Sequence, residues 1–179
     1  MYHENPPSIK RPKSCIRSYF PLVQAILTEL KVGDRAPDFS LLDERGLPVS
    51  LKDHLGRQVV VLYFYPKDFT QGCTAEACSF RDNYKIYQEK GAVVIGVSVD
   101  SVDSHSKFSQ KHNLPFSILS DNNKEVARAY GVLGIGGFLA RRVTFIIDKE
   151  GKIAYIFPKV DVKQHNEEVL RAIEELRKI

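Results

Sequence analysis

Three cysteines in 179 residues are too few for the disulfide framework that staples small secreted domains. They stand at positions 15, 73 and 78 and cannot all pair within one chain. A reducing compartment, the cytoplasm, is the expected setting. Long apolar runs are missing too: none approaches the roughly 18 residues of a membrane span, so no membrane partner is expected. Neither sign of charge dominates. There are 26 Lys+Arg against 22 Asp+Glu, and the resulting +4 is spread along the chain rather than gathered in a patch. Nucleic-acid binding lacks its electrostatic footprint. The five histidines, at 3, 54, 105, 112 and 165, form no cluster at metal-ligand spacing, so neither zinc nor another cofactor is expected. Repeats and low-complexity tracts are absent.

What is present is enough apolar material for a core. Hydrophobic residues make up 43% of the chain, which argues against wholesale disorder and for one domain with an appendage. Residues 1–30 read as the appendage, a loosely ordered N-terminal arm. They carry four of the nine prolines, all ahead of a short helix near 22–30. A signal-peptide reading of 19–27 is interrupted by Pro21 and Gln24 and lacks a clear small-residue cleavage site.

Residues 31–179 are regularly patterned. "DFSLL" and "PVSLKD" read as short strands around the turn "DERG". "RQVVVLYFY" is a continuous β-branched run, hence a central strand buried on both faces. The spacing predicts one helix over 73–90, stopped by Gly91. "AVVIGVSVD" is a second buried strand. A helix follows over 101–113, capped by Asp100 or Ser101. "FSILSD" is a short strand, then a helix covers 123–130. "RRVTFIID" and "KIAYIFP" make an antiparallel hairpin around "KEG". The last helix, 163–179, carries Val169, Ile173 and Leu176 on one face. This order gives an α/β fold, a central mixed sheet flanked by helices. In such sheets chemistry collects beyond the carboxyl ends of the parallel strands, where the first buried strand runs into both cysteines.

The two cysteines stand five residues apart in "YFYPKDFTQGCTAEACSF". Cys73, Ala77, Phe80, Tyr84 and Tyr87 form a core-facing stripe. A thiol in the first helical turn feels free backbone N–H groups and the positive end of the helix dipole, which favour the thiolate. Thr70 stands where its hydroxyl can cap the helix or bond the sulfur, and Gly72 lets the backbone approach closely. Taken alone, Cys78 reads as inert packing.

"YPKDFTQGCTAEACSFRD" resembles the active-site segment of peroxiredoxins, and of the peroxiredoxin Q (bacterioferritin comigratory protein) subfamily in particular. The pattern Pro-x-x-x-Thr-x-x-Cys falls on Pro66, Thr70 and Cys73, and the subfamily's second cysteine on Cys78. The family arginine falls on Arg142 in "RVTFIID" and the family glutamate on Glu76. "KVGDRAPDFSL" also fits. The likeness runs from about Lys31 to the C-terminus. It departs at Gln71, where the subfamily often has proline, and Cys15 lies outside it. "LTELKVGDRAPDF" also resembles the natural start of such a protein, making Leu27 a candidate alternative start.

The resemblance implies a thioredoxin-like fold and a thiol peroxidase without cofactor. It implies that Cys73 attacks a hydroperoxide and becomes a sulfenic acid. Cys78 then converts that to a disulfide, which a thioredoxin-like protein reductant reopens. Arg142 and Thr70 would serve the peroxide step, with Glu76 orienting the arginine. Monomer and weak homodimer both stay open. Two other readings compete: a protein disulfide oxidoreductase, which would want CxxC spacing, and a redox-regulated holdase, which would need an apolar client surface. The glycine-rich "GVLGIGGF" does not join a strand to a helix and reads as a loop beside the active site, not a phosphate loop.

Overall fold

The computed structural model describes residues 29–178, so Cys15 and nearly all of the arm lie outside the described residues. Glu29 and Leu30, the end of the helix expected near 22–30, are irregular, and Leu30 packs against the core.

In chain order the strands are β1 (Ser40–Asp43), β2 (Pro48–Ser50), β3 (Val59–Phe64), β4 (Ala92–Ser98), β5 (Ile118–Ser120), β6 (Val143–Ile147) and β7 (Ile153–Phe157). The helices are α1 (Gln71–Asp82), α2 (Tyr84–Glu89), α3 (Val102–His112), α4 (Glu125–Ala129) and α5 (His165–Leu176). The strands form one sheet in the order β2-β1-β5-β4-β3-β6-β7. β3, β4 and β5 run parallel, whereas β6 joins β3 antiparallel and continues into the hairpin with β7.

The apolar run at β3 explains the layers. All six of its residues are buried. Val60, Leu62 and Phe64 join one apolar cluster with β6 residues Val143, Phe145 and Ile147. Val59, Val61 and Tyr63 join the other, with Cys73, Ala77 and Phe80 of α1, Tyr87 of α2, Phe108 of α3 and Val169 and Ile173 of α5. Alternation across a strand demands cover on both faces, which the helices supply. Arg142, just ahead of β6, and Thr144 on it share the face of Ile146, which belongs to this second cluster.

The helix expected over 73–90 is two helices, and it begins at Gln71. The break has a local cause. Asn83 Nδ2 donates to the Ser79 carbonyl at 2.9 Å, taking the acceptor that a continuing helix would use. The helix expected over 123–130 is shorter, Glu125–Ala129, because Lys124 sits in the left-handed region at φ 61°. Ser101, not Asp100, caps α3, accepting from Ser104 N at 3.2 Å. On α5, Val169 and Ile173 are buried as expected, while Leu176 packs only half-buried at the rim.

Candidate active site

Val143 pairs with Phe64 at the end of β3, so Arg142 lies just beyond that strand's carboxyl end. The loop from Tyr65 to Thr70 leaves the same end and delivers Cys73 to the first turn of α1. The first backbone bond into the helix is Thr74 N to Thr70 O, at 2.9 Å, and the earlier amides have no intrahelical acceptor.

Arg142 spans two acceptors. Its Nη2 lies 3.2 Å from Cys73 Sγ, and its Nη1 donates to Glu76 Oε2. A planar guanidinium suits this bridging role, because its donors are fixed in a fork. Cys73 and Glu76 are both buried, and Arg142 is half-buried. Burial pushes the Glu76 carboxyl up to about 7, against the pull of Arg142. Burial also works against the arginine's charge, but Glu76 and Cys73 outweigh it and hold Arg142 above its ordinary value. Glu76 Oε1 is buried with no partner among the described residues.

Gly72 earns its place by space, not by conformation. A Cβ there would stand 3.2 Å from Arg142 Nη2. Thr70 occupies the N-cap position, but its side chain caps nothing. Its hydroxyl donates to the Lys67 carbonyl at 3.1 Å, so neither of its expected bonds, to the helix amides or to the sulfur, is formed. Pro66 is half-buried at the start of the loop.

Cys78 is not brought to Cys73. Both sit on α1 as free thiols, and positions five apart on a helix have Cα atoms about 8.7 Å apart. Cys78 instead faces α3, with its Sγ 4.0 Å from His112 Nδ1.

Sequence reasoning missed the scaffold of the loop. Asp68 is buried and accepts from Tyr65 Oη at 2.7 Å and from Ser104 Oγ at 2.7 Å. His105 Nδ1 lies 2.8 Å from Asp68 Oδ2, and its Nε2 is 3.1 Å from the Leu119 carbonyl. Burial works to raise the Asp68 pKa, but the bonds from His105, Ser104 and Tyr65 keep it below the usual carboxylate value. The Asp68 amide donates to Asp100 at 2.9 Å, tying the loop to the end of β4. Next to it, Phe69 is held at φ 61° with its ring edge-on to Phe108. Local strain of this kind persists only where surrounding contacts over-determine it. A second surprise is His165, whose Nε2 meets Thr144 Oγ1 at 2.8 Å. Burial, and then the charge of Arg142, push its pKa down to about 4, so this ring is neutral behind the site. The glycine-rich loop forms a short 3-10 turn, Ile135–Gly137, inside a bridge between Leu133 and Ala140, and leads into Arg142.

A buried thiol, an arginine across it and a buried carboxylate behind, beyond the parallel strands of a thioredoxin-like sheet, define a thiol-based redox enzyme. Comparison with known proteins narrows the class. The AhpC/TSA family model matches residues 32–156. Peroxiredoxin Bcp of Bacillus subtilis (strain 168) is 43% identical over 153 residues, covering 82% of this chain and 97% of the relative. The chloroplastic peroxiredoxin Q of Sedum lineare is 38% identical over 172 residues, covering 95% of this chain and 89% of that protein. Among solved structures, the peroxidoxin BcpB of Mycobacterium tuberculosis superposes with a TM-score of 0.78 at 36% identity, covering 83% of this chain and 99% of that one. The chain belongs to the AhpC/TSA family, in its peroxiredoxin Q/Bcp branch, and is a thiol-dependent peroxidase. Among the described residues, no helix is long and apolar enough to cross a membrane.

Proposed function

We propose that Cys73 is the peroxidatic thiol, acting on hydrogen peroxide and organic hydroperoxides. The 3.2 Å contact between Arg142 Nη2 and Cys73 Sγ carries this reading. A solved relative, the bacterioferritin comigratory protein of Xanthomonas campestris, is described by its alkyl peroxide reduction activity; it is 33% identical and has a TM-score of 0.75. The Cys73 thiolate attacks one peroxide oxygen, and the O–O bond breaks. The other oxygen leaves with the bonding pair and takes a proton, becoming water or an alcohol. Arg142 stabilises the charge passing from sulfur to oxygen. Thr70 and Gly72 shape the turn, Pro66 opens the loop, and Glu76 fixes the guanidinium plane.

Cys78 then closes a disulfide with Cys73, and a thioredoxin-like protein reductant reopens it. Thioredoxin-coupled peroxide consumption by the wild type, Cys73→Ser and Cys78→Ser tests the whole cycle. The reducing setting this requires, which we take to be the cytoplasm, accords with the scarcity of cysteine.

The disulfide demands a change of shape. A bridge tolerates at most about 7 Å between Cα atoms, less than the intact helix leaves between Cys73 and Cys78. The first turns of α1 must therefore unwind after Cys73 is oxidised. Phe80 in the core and the Asn83 side chain on Ser79 anchor the far end. Hydrogen exchange of amides 74–78 is expected to rise sharply in the disulfide form and stay slow in the reduced form. Equal protection in both, with the bridge verified by mass spectrometry, would contradict unwinding.

The arm should be dispensable. A chain beginning near Leu27 keeps Leu30, which packs against the core, so its melting temperature and peroxidase activity are expected to match the full chain. A marked loss of both would show that residues 1–26 pack on the domain.

A further inference from the structure

The peroxidatic thiol has its arginine, but the cycle above gives the second thiol nothing to take its proton. Disulfide closure is a substitution at sulfur, and the attacking species is the thiolate. The Cys78 thiol must lose a proton before or during that step.

One basic nitrogen touches it. His112 closes α3, and its Nδ1 lies 4.0 Å from Cys78 Sγ. Two contacts hold the residue in place. Arg81 Nη1 donates to the His112 carbonyl at 2.8 Å, fastening the end of α3 to α1. The Phe108 ring meets the imidazole edge-on, with centroids 4.9 Å apart. Nε2 is buried and has no partner among the described residues. A buried polar group left unpaired asks for an explanation, and a catalytic role is one. No other hydrogen bond competes for this ring among the described residues, so Nδ1 can accept from the thiol while Nε2 keeps its hydrogen.

We infer that His112 is the general base of the resolving step, taking the proton of Cys78 as that thiol attacks oxidised Cys73. This rests on the peroxidase cycle proposed above and deepens its second half.

The charge around the ring fits a base that is free at neutral pH. Burial, then Lys111 beside it and Arg81 from α1, hold His112 below its ordinary value. Cys78 is the other titratable group facing it from α1, and Asp82 is engaged with Arg81 at 2.8 Å. The ring is thus neutral at pH 7, with a lone pair on Nδ1.

The step balances. The Cys78 S–H bond breaks and its proton passes to Nδ1. The sulfur pair attacks the sulfenyl sulfur of Cys73, and the new S–S bond forms as the S–O bond breaks. Hydroxide departs with the bonding pair and takes a proton from the imidazolium, leaving as water. The Cys78 sulfur is oxidised and the Cys73 sulfur reduced, so no outside reductant enters.

The anchors decide which end moves. Phe80, Asn83 and the Arg81–His112 bond all lie at or beyond Cys78. Unwinding residues 71–77 brings Cys73 to Cys78 while Cys78 stays against its base.

The test separates the two half-reactions. Reduced full-length protein is mixed rapidly with one equivalent of hydrogen peroxide between pH 5.5 and 9. Cys73 oxidation and disulfide closure are followed separately by acid quench and mass spectrometry. In the wild type, closure should speed up as His112 deprotonates and then level off. In His112→Phe, closure should slow at least about tenfold at pH 7 and keep rising with pH instead of levelling off. His112→Gln, which keeps a polar side chain but no base, should match His112→Phe. Closure rates and pH profiles unchanged in both variants would overturn the inference. So would closure slowed in His112→Phe but fully restored in His112→Gln, which would mark a packing role. Failure of wild-type Cys73 to oxidise would instead refute the peroxidase cycle on which this step depends.

Discussion

Cys73→Ser is expected to consume no peroxide above background in the thioredoxin-coupled assay. The oxygen of serine is barely ionised at neutral pH and is a poor nucleophile toward peroxide oxygen, whereas a thiolate sulfur is a good one. Nothing nearby supplies a substitute. Cys78 faces α3, away from Arg142, and the guanidinium beside it, Arg81, is committed to Asp82 and the His112 carbonyl. The loss should be chemical, not structural. Serine is close in size to cysteine, and its hydroxyl can accept the bond that Arg142 Nη2 now gives the sulfur. The variant should melt close to the wild type. Cys78→Ser should behave differently: Cys73 should oxidise at the wild-type rate but stall as sulfenic acid, open to further oxidation by excess peroxide. Full turnover by Cys73→Ser would end the assignment.

How much of this was legible in the sequence depended on the range of the interaction. The β3 run and the stripe Cys73, Ala77, Phe80, Tyr84, Tyr87 are periodic signals: β3 is buried throughout, and of the stripe all but Tyr84, which is half-buried beyond the break, lie in the core. The break at Asn83 was hidden because it turns on one side-chain amide reaching Ser79. Lys124 shortens α4 through a backbone conformation that its residue type does not advertise. For the site, the resemblance names candidate residues but not their geometry. The position of Thr70 suggests a bond to the helix amides or the sulfur, yet its hydroxyl turns back to Lys67. Asp68 and His105 are 37 residues apart, and Cys78 and His112 are 34 apart. No local spacing rule connects such pairs. They meet because β4 and β5 run parallel to β3 and set α3 beside α1. An aspartate in the loop just ahead of a reactive helix was the one available signal for Asp68.

Arg142→Met should leave the fold intact and cripple the peroxide step. An oxyanion-type contact is worth about 2–4 kcal/mol of barrier, so Cys73 oxidation should slow roughly 30- to 1,000-fold. The charge matters because negative charge moves from sulfur to the departing oxygen, and the guanidinium already touches the sulfur. Removing one member of a buried pair usually destabilises by about 3–5 kcal/mol, through the charge left behind. Here that penalty should be relieved. Burial already pushes Glu76 up to about 7, and without Arg142 the carboxyl can take a proton and stay neutral. The variant should therefore bind about one extra proton on folding near pH 7 and grow less stable as pH rises, since ionising the buried acid costs the folded state alone. Arg142→Lys separates charge from shape. A lysine keeps the charge but cannot grip Glu76 and Cys73 at once with a planar fork, so its rate should fall between wild type and Arg142→Met. Stopped-flow oxidation with hydrogen peroxide, and denaturant melts from pH 5 to 8, measure both effects. An unchanged oxidation rate in Arg142→Met would remove the arginine from the chemistry and leave it as structural support for Glu76.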